Sequence, residues 1–351
     1  MQETAVPRVS VITAVRNGER HLSDAIESIL GQTLSDFEYL IIDDASDDAT
    51  PDILARFAER DARIRLIRNE TNLGPYPSAN QALELARAPL IARMDADDVS
   101  EPDRLQKQVA FLDQHPDHIL VSSSYRAIDS DGRTLYLKRK PADDFCVQWW
   151  MRFRMCLEHP ATCFRAKDMD GKPVRYDESR PVAQDYELFS RLARHAKMAV
   201  LPDVLFNYRI HGTNITSTRK QEQAANVFRI ARQNQARAFD TVTVDAIEPM
   251  MRSFMLGEAP NVADLRKTVN AISRIVEADI AKAPERRTWI MRQAAEVLAH
   301  ALLAKGGGLS DPSYALAFSK QAWRFLPALI MRVVENRNLL PSKLESYPDV
   351  R

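Results

Sequence analysis

The sequence predicts an α/β domain on a mostly parallel sheet flanked by helices, followed by an all-α C-terminal region. Three observations carry this reading. Short β-branched runs alternate with helically spaced apolar residues from Val9 to Ser123, the pattern of strand–helix–strand units. Two of those runs end in aspartates, as strands do when their carboxyl ends face a ligand. After Thr218 the composition shifts to Ala, Gln and Arg at helical spacing. The predicted division is therefore 1–218 and 219–351.

Val9–Val15 reads VSVITAV, a run suited to a buried strand. Leu22, Ala25, Ile26, Ile29 and Leu30 then recur at helical spacing. Phe37–Asp43 is apolar up to a pair of acids, a second buried strand. Ser46, Asp48 and Thr50 offer caps before Pro51, which a first helical turn tolerates, and a helix runs to about Arg60. Ile64–Ile67 is a third strand, Ser78–Ala86 a helix, and Leu90–Met94 a fourth strand that runs into acids. Pro102–Gln114 is a helix and Ile119–Ser123 a strand. Asp131-Gly132 marks a turn. Asp143–Met155 is an aromatic-rich helix and Asp185–His195 an amphipathic one. Val200–Leu201 and Leu205–Tyr208 are short strands around a Pro202-Asp203 turn. Helices follow at Arg219–Asp240, Val262–Ala281, Glu285–Lys305 and Ser313–Phe325, punctuated by prolines at 249, 260, 284, 312, 327 and 341.

Composition narrows the function. A chain of 351 residues buries a full core without covalent staples. Lys plus Arg and Asp plus Glu each total 48, and this zero net charge argues against nucleic acid as a partner. The balance hides an asymmetry: 219–351 holds 20 basic and 14 acidic residues, leaving 28 and 34 for 1–218. No G-x-G-x-x-G, Walker loop, H-E-x-x-H or G-x-S-x-G occurs. Cys146, Cys156 and Cys163 form no C-x-x-C pair, and three sparse thiols fit a reducing cytoplasm. The polar start and the lack of an 18-residue apolar run argue against a leader or a spanning helix.

The chemistry points to the acids. Asp43-Asp44 and Asp95-x-Asp97-Asp98 both sit at predicted strand ends. The first pair also suits simple helix capping and turning. The second cluster repels itself unless a cation is present.

The ordered motifs resemble an inverting family-2 glycosyltransferase of the GT-A (Rossmann-like) fold, of the bacterial surface-polysaccharide type. VSVITAVRNGERHLSDAIESILGQTLSDFEYLIIDDASDDAT resembles its start, and MDADDVSEPDRL (94–105) its metal-binding D-x-D region. VAQDYELFSRLAR (182–194) resembles the segment with the catalytic base, and VLFNYRIHGTNIT (204–216) the segment that closes the catalytic domain. The likeness spans about three-fifths of the chain. It implies a nucleotide-sugar donor, UDP by preference, and a divalent cation, Mn²⁺ or Mg²⁺, that neutralises the leaving diphosphate.

The resemblance also assigns residues. Ala14 and Val15 lie along the base, Asp44 accepts from the uracil ring, and Asn17 and Glu19 sit near the ribose. Asp97 is the metal ligand, and Asp95 lies near the ribose or the metal. Asn80 ends a donor-binding segment that starts at Asn72. Asp185 matches the base that deprotonates the acceptor hydroxyl; by itself it reads equally well as a helix cap. Gln184 replaces the usual Glu, and His159 precedes Pro160; both are candidates for acceptor contacts, with a structural role competing for His159. His211 matches a His that completes the metal shell in some relatives, against a surface or phosphate-donor role. Trp149 and Trp150 suit a sugar face or, more commonly, packing.

Arg16, Ala79 and Gln184 depart from the family pattern, so a non-catalytic nucleotide-sugar-binding assembly subunit is the alternative. A nucleotidyltransferase ranks third, for want of its Gly-rich signature. The expected acceptor is a glycan or lipid-linked glycan hydroxyl. Region 219–351 reads as a module for packing, homo-oligomerisation or contact with the inner membrane surface. Its Trp323–Val334 segment mixes aromatic, apolar and basic residues, as an interfacial helix does. The expected location is cytoplasmic, peripheral at the membrane where that contact is made.

Overall fold

A computed structural model of the chain describes residues 6–139, 142–180, 182–211, 219–256 and 261–303. It divides into two compact units: 1–151 with 155–214, and 152–154 with 215–351. The expected helix at 313–325 and the segment 323–334 lie outside the described residues.

The first unit opens with strand β1 (Val9–Val15), helix α1 (Leu22–Leu30), β2 (Phe37–Asp43), α2 (Thr50–Arg60), β3 (Ile64–Arg68), α3 (Pro75–Leu85) and β4 (Leu90–Arg93). Then come β5 (Val99–Ser100), α4 (Arg104–Gln114), β6 (His118–Ile128), β7 (Thr134–Lys138), α5 (Asp144–Met151), β8 (Cys163–Arg165), α6 (Gln184–Leu192) and β9 (Lys197–Arg209). Among the described residues nine strands form one sheet in the order β3-β2-β1-β4-β8-β6-β9-β5, with β7 on β6. β3, β2, β1 and β4 are parallel. Beyond β4 the sheet is mixed: β8 is antiparallel to β4 and β6, β9 parallel to β6, and β5 antiparallel to β9.

The hydrophobic effect accounts for the parallel block. Every residue of β2, and all but Ala14 of β1, is buried, which leaves no polar face to show water. Leu22, Ala25, Ile26 and Ile29 cover one side from α1. With β1 lying between β2 and β4, the loops after those three strands emerge side by side. Buried Arg104 braces the last of them: its guanidinium donates to the Arg93 carbonyl and, at 2.7 Å, to Ser100 Oγ.

Several elements differ from expectation. The two short strands around Pro202 are one strand, β9. Leu201 faces Ser123 and Val204 faces Ser124, so Pro202 and Asp203 bulge out and the missing proline N–H breaks no ladder bond. β7 and β8 are too short and too exposed, or too isolated, to leave a periodic signal. The aromatic helix stops at Met151, where residues 152–154 pass to the second unit.

The second unit holds helices α7 (Lys220–Ala238), α8 (Thr241–Leu256), α9 (Val262–Lys282) and α10 (Arg287–Leu303). Pro249 lies inside α8 rather than between elements. Buried Ile247, Met250 and Met251 around it supply packing that offsets the lost backbone bond. Asn261 caps α9, accepting from Asp264 N at 2.9 Å. Arg152 pairs with Asp279 at 2.8 Å and Arg154 with Glu296 at 2.9 Å, tying 152–154 into the bundle. No described helix is long and apolar enough to cross a membrane.

Candidate active site

The first part of the site grows from the ends of β1 and β2. Asp44 N donates to the Val15 carbonyl at 2.8 Å, holding Ala14 and Val15 against the second acidic loop. Asn17 takes a left-handed φ of 53°; its N–H donates to Ser46 Oγ at 3.0 Å and its Oδ1 accepts from Asp47 N at 3.0 Å. Glu19 Oε2 accepts from Ala49 N at 3.0 Å. Asn17 and Glu19 therefore stitch the two loops together.

Asp44 is buried and clamps a third loop. Its Oδ1 accepts from Asn69 Nδ2 and Leu73 N, and its Oδ2 from Gly74 N, each at 2.8 Å. Gly74 has φ 94°, which favours glycine, and it opens α3. Asn80 lies on α3 with its amide engaged: Oδ1 accepts from Tyr176 N at 2.9 Å, and Nδ2 donates to Tyr176 O at 3.0 Å and Glu178 Oε1 at 2.7 Å. It braces the Tyr176 segment instead of opening toward the loops after β1 and β2.

The second part follows β4. Asp97 Oδ2 and His211 Nε2 lie 2.8 Å apart. Arg209 Nε donates to the Asp97 carbonyl at 2.6 Å, and Arg209 N to Asp98 Oδ1 at 2.7 Å, so the end of β9 carries the acidic loop. Asp95 Oδ1 accepts from Arg93 Nη2 at 2.7 Å. Burial pushes the Asp95 and Asp98 carboxyls up, with Asp97 adding repulsion in each case; Arg93 opposes the rise at Asp95. His21 stacks obliquely on His211, centroids 5.6 Å apart, and its pKa is lowered by burial and then by Arg209.

These residues fit a hard divalent cation. Adjacent ligands of an octahedral ion with ~2.1 Å bonds lie ~3 Å apart, close to the Asp97–His211 spacing. No cluster of three or more ligating side chains occurs among the described residues. A Mg²⁺ or Mn²⁺ site shared with substrate phosphates needs no such cage.

The third part surrounds Asp185 in the first turn of α6. Ala183 precedes it with φ 61°, a conformation strained for alanine and common at functional sites. Burial pushes the Asp185 carboxyl up to about 6; its own N–H and that of Tyr186 oppose the rise, and Asp95 and Glu158 add to it. Tyr76, His159 and Tyr176 form an aromatic group nearby. Tyr76 and Tyr176 centroids are 5.1 Å apart, and His159 Nε2 meets Tyr176 Oη at 2.7 Å. Burial, then the Arg93 charge, lowers the His159 pKa well below the imidazole range, so the ring is neutral at pH 7. Gln184 donates to the Arg180 carbonyl, while its buried Oε1 has no partner among the described residues. Trp149 and Trp150 are buried, edge to face at 5.1 Å, in the packing role.

Asp44, Asp97 with His211, and Asp95 thus cluster at one sheet edge, and Asp185 feels Asp95 directly. The sequence reading missed Arg93, Tyr76, Tyr176, Glu158 and Arg209. A lone Arg inside an apolar strand, LIARMD, was the one available signal.

Residues 10–167 match the model of glycosyl transferase family 2. The chain is 30% identical over 277 residues to an uncharacterized glycosyltransferase of Haemophilus influenzae, covering 76% of this chain and 84% of that one. It is 32% identical over 220 residues to the O-antigen biosynthesis glycosyltransferase WbnJ of Escherichia coli, covering 62% and 84%. In structure it is similar to Staphylococcus aureus TarS 1–349 in complex with UDP-GlcNAc, with TM-score 0.56, 18% identity and coverage of 90% and 91%. It is also similar to the mannosyltransferase PcManGT of Pyrobaculum calidifontis in complex with GDP-Man and Mn²⁺, with TM-score 0.53, 19% identity and coverage of 97% and 89%. Those two likenesses establish the fold, a GT-A-like mixed sheet with flanking helices. The family match and the Haemophilus influenzae relative establish the rest: the chain is a glycosyltransferase and belongs to glycosyl transferase family 2.

Proposed function

We propose that the chain is a metal-dependent, inverting hexosyltransferase. It moves a sugar from a nucleotide donor, UDP-linked, to a hydroxyl of a glycan or lipid-linked glycan in surface-polysaccharide assembly. The observation that carries this is Asp185: a carboxyl pushed up to about 6, set near Asp95 and one acidic residue away from the Asp97–His211 pair. A base with that pKa is deprotonated at neutral pH and still basic enough to take a proton in the transition state.

Ala14, Val15 and Asp44 line the end that receives the nucleoside. Asp97 and His211 would hold the cation, with Asp95 beside them; a bound cation would supply positive charge against the departing diphosphate. Asp185 takes the acceptor's proton as the acceptor oxygen bonds the anomeric carbon from the face opposite the leaving group, the arrangement that inverts the centre. Buried Arg93 opposes the rise that burial causes at Asp95 and adds to burial in lowering the His159 pKa. His159 and Gln184 remain the acceptor-side candidates. The UDP preference is supported by the neighbour that holds UDP-GlcNAc, and the metal by the neighbour that holds Mn²⁺. The pathway is supported by WbnJ and by the succinoglycan biosynthesis protein ExoO of Rhizobium meliloti. The helical region 219–351 serves packing, self-association or peripheral contact with the inner membrane surface.

The test is transfer from UDP-sugars with and without Mn²⁺, for the wild type and Asp185→Asn. Metal-dependent transfer that Asp185→Asn loses while it still binds UDP is the expected result. UDP binding by the wild type with no transfer across a panel of acceptors would favour the assembly-subunit alternative.

A further inference from the structure

A cavity of about 530 Å³ adjoins the Asp97–His211 pair, and none of the chemistry above uses it. It is walled by the start of α1, by β5, by the β6–β7 hairpin and by the end of β9. Its volume lies in the ordinary range for small-molecule sites. A lone phosphate, only a few water volumes of ~30 Å³, would fill a fraction of it.

The lining carries two kinds of group. Arg20, Arg126 and Arg209 supply guanidinium charge against the carboxylates of Asp24 and Asp131. Arg126 is oriented by Glu101 at 2.8 Å and Asn207 at 2.6 Å; Arg209, 3% exposed, reaches Asp24 at 3.2 Å. Arg20 is exposed and forms no ion pair with a described residue. His21 is 8% exposed, lines the cavity, and its ring makes no hydrogen bond to a described residue. A nearly buried imidazole with no hydrogen-bond partner among the described residues leaves hydrogen-bonding capacity for a ligand. Guanidinium groups suit phosphoryl oxygens, which their planar forks can bind in pairs. Asp24, Asp131 and Thr134 supply the hydroxyl-binding groups that a saccharide needs.

We propose that this cavity is a second ligand site, distinct from the donor site, and that it takes a phosphorylated sugar. Its phosphoryl group faces Arg20, Arg126 and His21, and its hydroxyls face Asp24 and Asp131. Free phosphate shares the phosphoryl chemistry and the donor's own diphosphate is the other source, so the experiment separates all three.

The full chain is titrated calorimetrically with glucose, galactose and mannose 1-phosphates and with inorganic phosphate, each with and without saturating UDP and Mn²⁺. At least one hexose phosphate is expected to bind in the presence of UDP and Mn²⁺, about tenfold tighter than phosphate. Arg20→Gln and Arg126→Gln are each expected to weaken that binding about tenfold and to leave UDP affinity within about twofold. Arg20 is exposed, so its variant tests the site even if Arg126→Gln fails to fold. Loss of binding on UDP saturation would place the ligand in the donor site and overturn the proposal. Equal affinity for phosphate and every hexose phosphate, no binding at all, or wild-type affinity in the Arg20 variant would overturn it as well.

Discussion

Replacing Asp185 with Asn removes one proton-accepting oxygen and little volume. The structure predicts two separable consequences. The first is kinetic: transfer is lost, while UDP affinity is kept because the Asp44 and Asp97 ends of the site are untouched. In the wild type the acid limb of kcat/KM should lie at about 6, where Asp185 loses its proton. The second is thermodynamic. Asp185 titrates at about 6 when folded instead of its ordinary 3.8, so the folded state binds its proton more tightly than the unfolded chain does. Its ionisation therefore destabilises the fold. The penalty is absent below about pH 4, grows between about 4 and 6, and is complete above. Converted directly it is ~3 kcal/mol, and partial exposure of the side chain reduces it to ~1–3 kcal/mol. Urea unfolding at about pH 8 should thus show Asp185→Asn more stable than the wild type by that amount, and at about pH 4 the two should converge. Retained transfer would sink the base assignment. Equal stability at about pH 8 would show that burial does not raise this carboxyl.

Chelation should abolish transfer and Mn²⁺ should restore it; Asp97→Asn should lose Mn²⁺-dependent thermal stabilisation, and His211→Ala should weaken Mn²⁺ binding by about 10–100-fold, read by metal titration. Asp44→Asn keeps one oxygen and turns an amide NH2 toward either the Leu73 or the Gly74 N–H, so it should lower stability by ~1–3 kcal/mol and raise the donor KM, read by denaturant unfolding and initial rates. Arg104→Met leaves the Arg93 carbonyl and Ser100 without their donor under the acidic loop, and unfolding should show a loss of ~3 kcal/mol or more. Gly18→Ala sets a methyl 2.7 Å from Val15 Cγ2, so the β1–α1 loop must shift and UDP affinity should fall in a direct titration.

The sequence by itself determined the parallel half of the sheet and one edge of the site. VSVITAV and FEYLIID bury both faces, so their apolar runs and terminal acids were legible without a partner strand. The strand order, with β1 between β2 and β4, is a product of the tertiary structure, and it brings Asp44 and Asp97 out near each other. Tertiary structure decided the remainder, because it depends on contacts between residues far apart in the chain. Pro202 reads locally as a turn, yet the ladder with β6 carries the strand through it as a bulge. Asn80 matches a donor-binding segment by motif, but its amide is taken by Tyr176, ninety-six residues on. The rise in the Asp185 pKa needs burial beside Asp95 and Glu158, and neither residue is near it in sequence. Periodicity reports what a residue does to its own strand or helix; it carries no information about which distant charge will face it across a cavity.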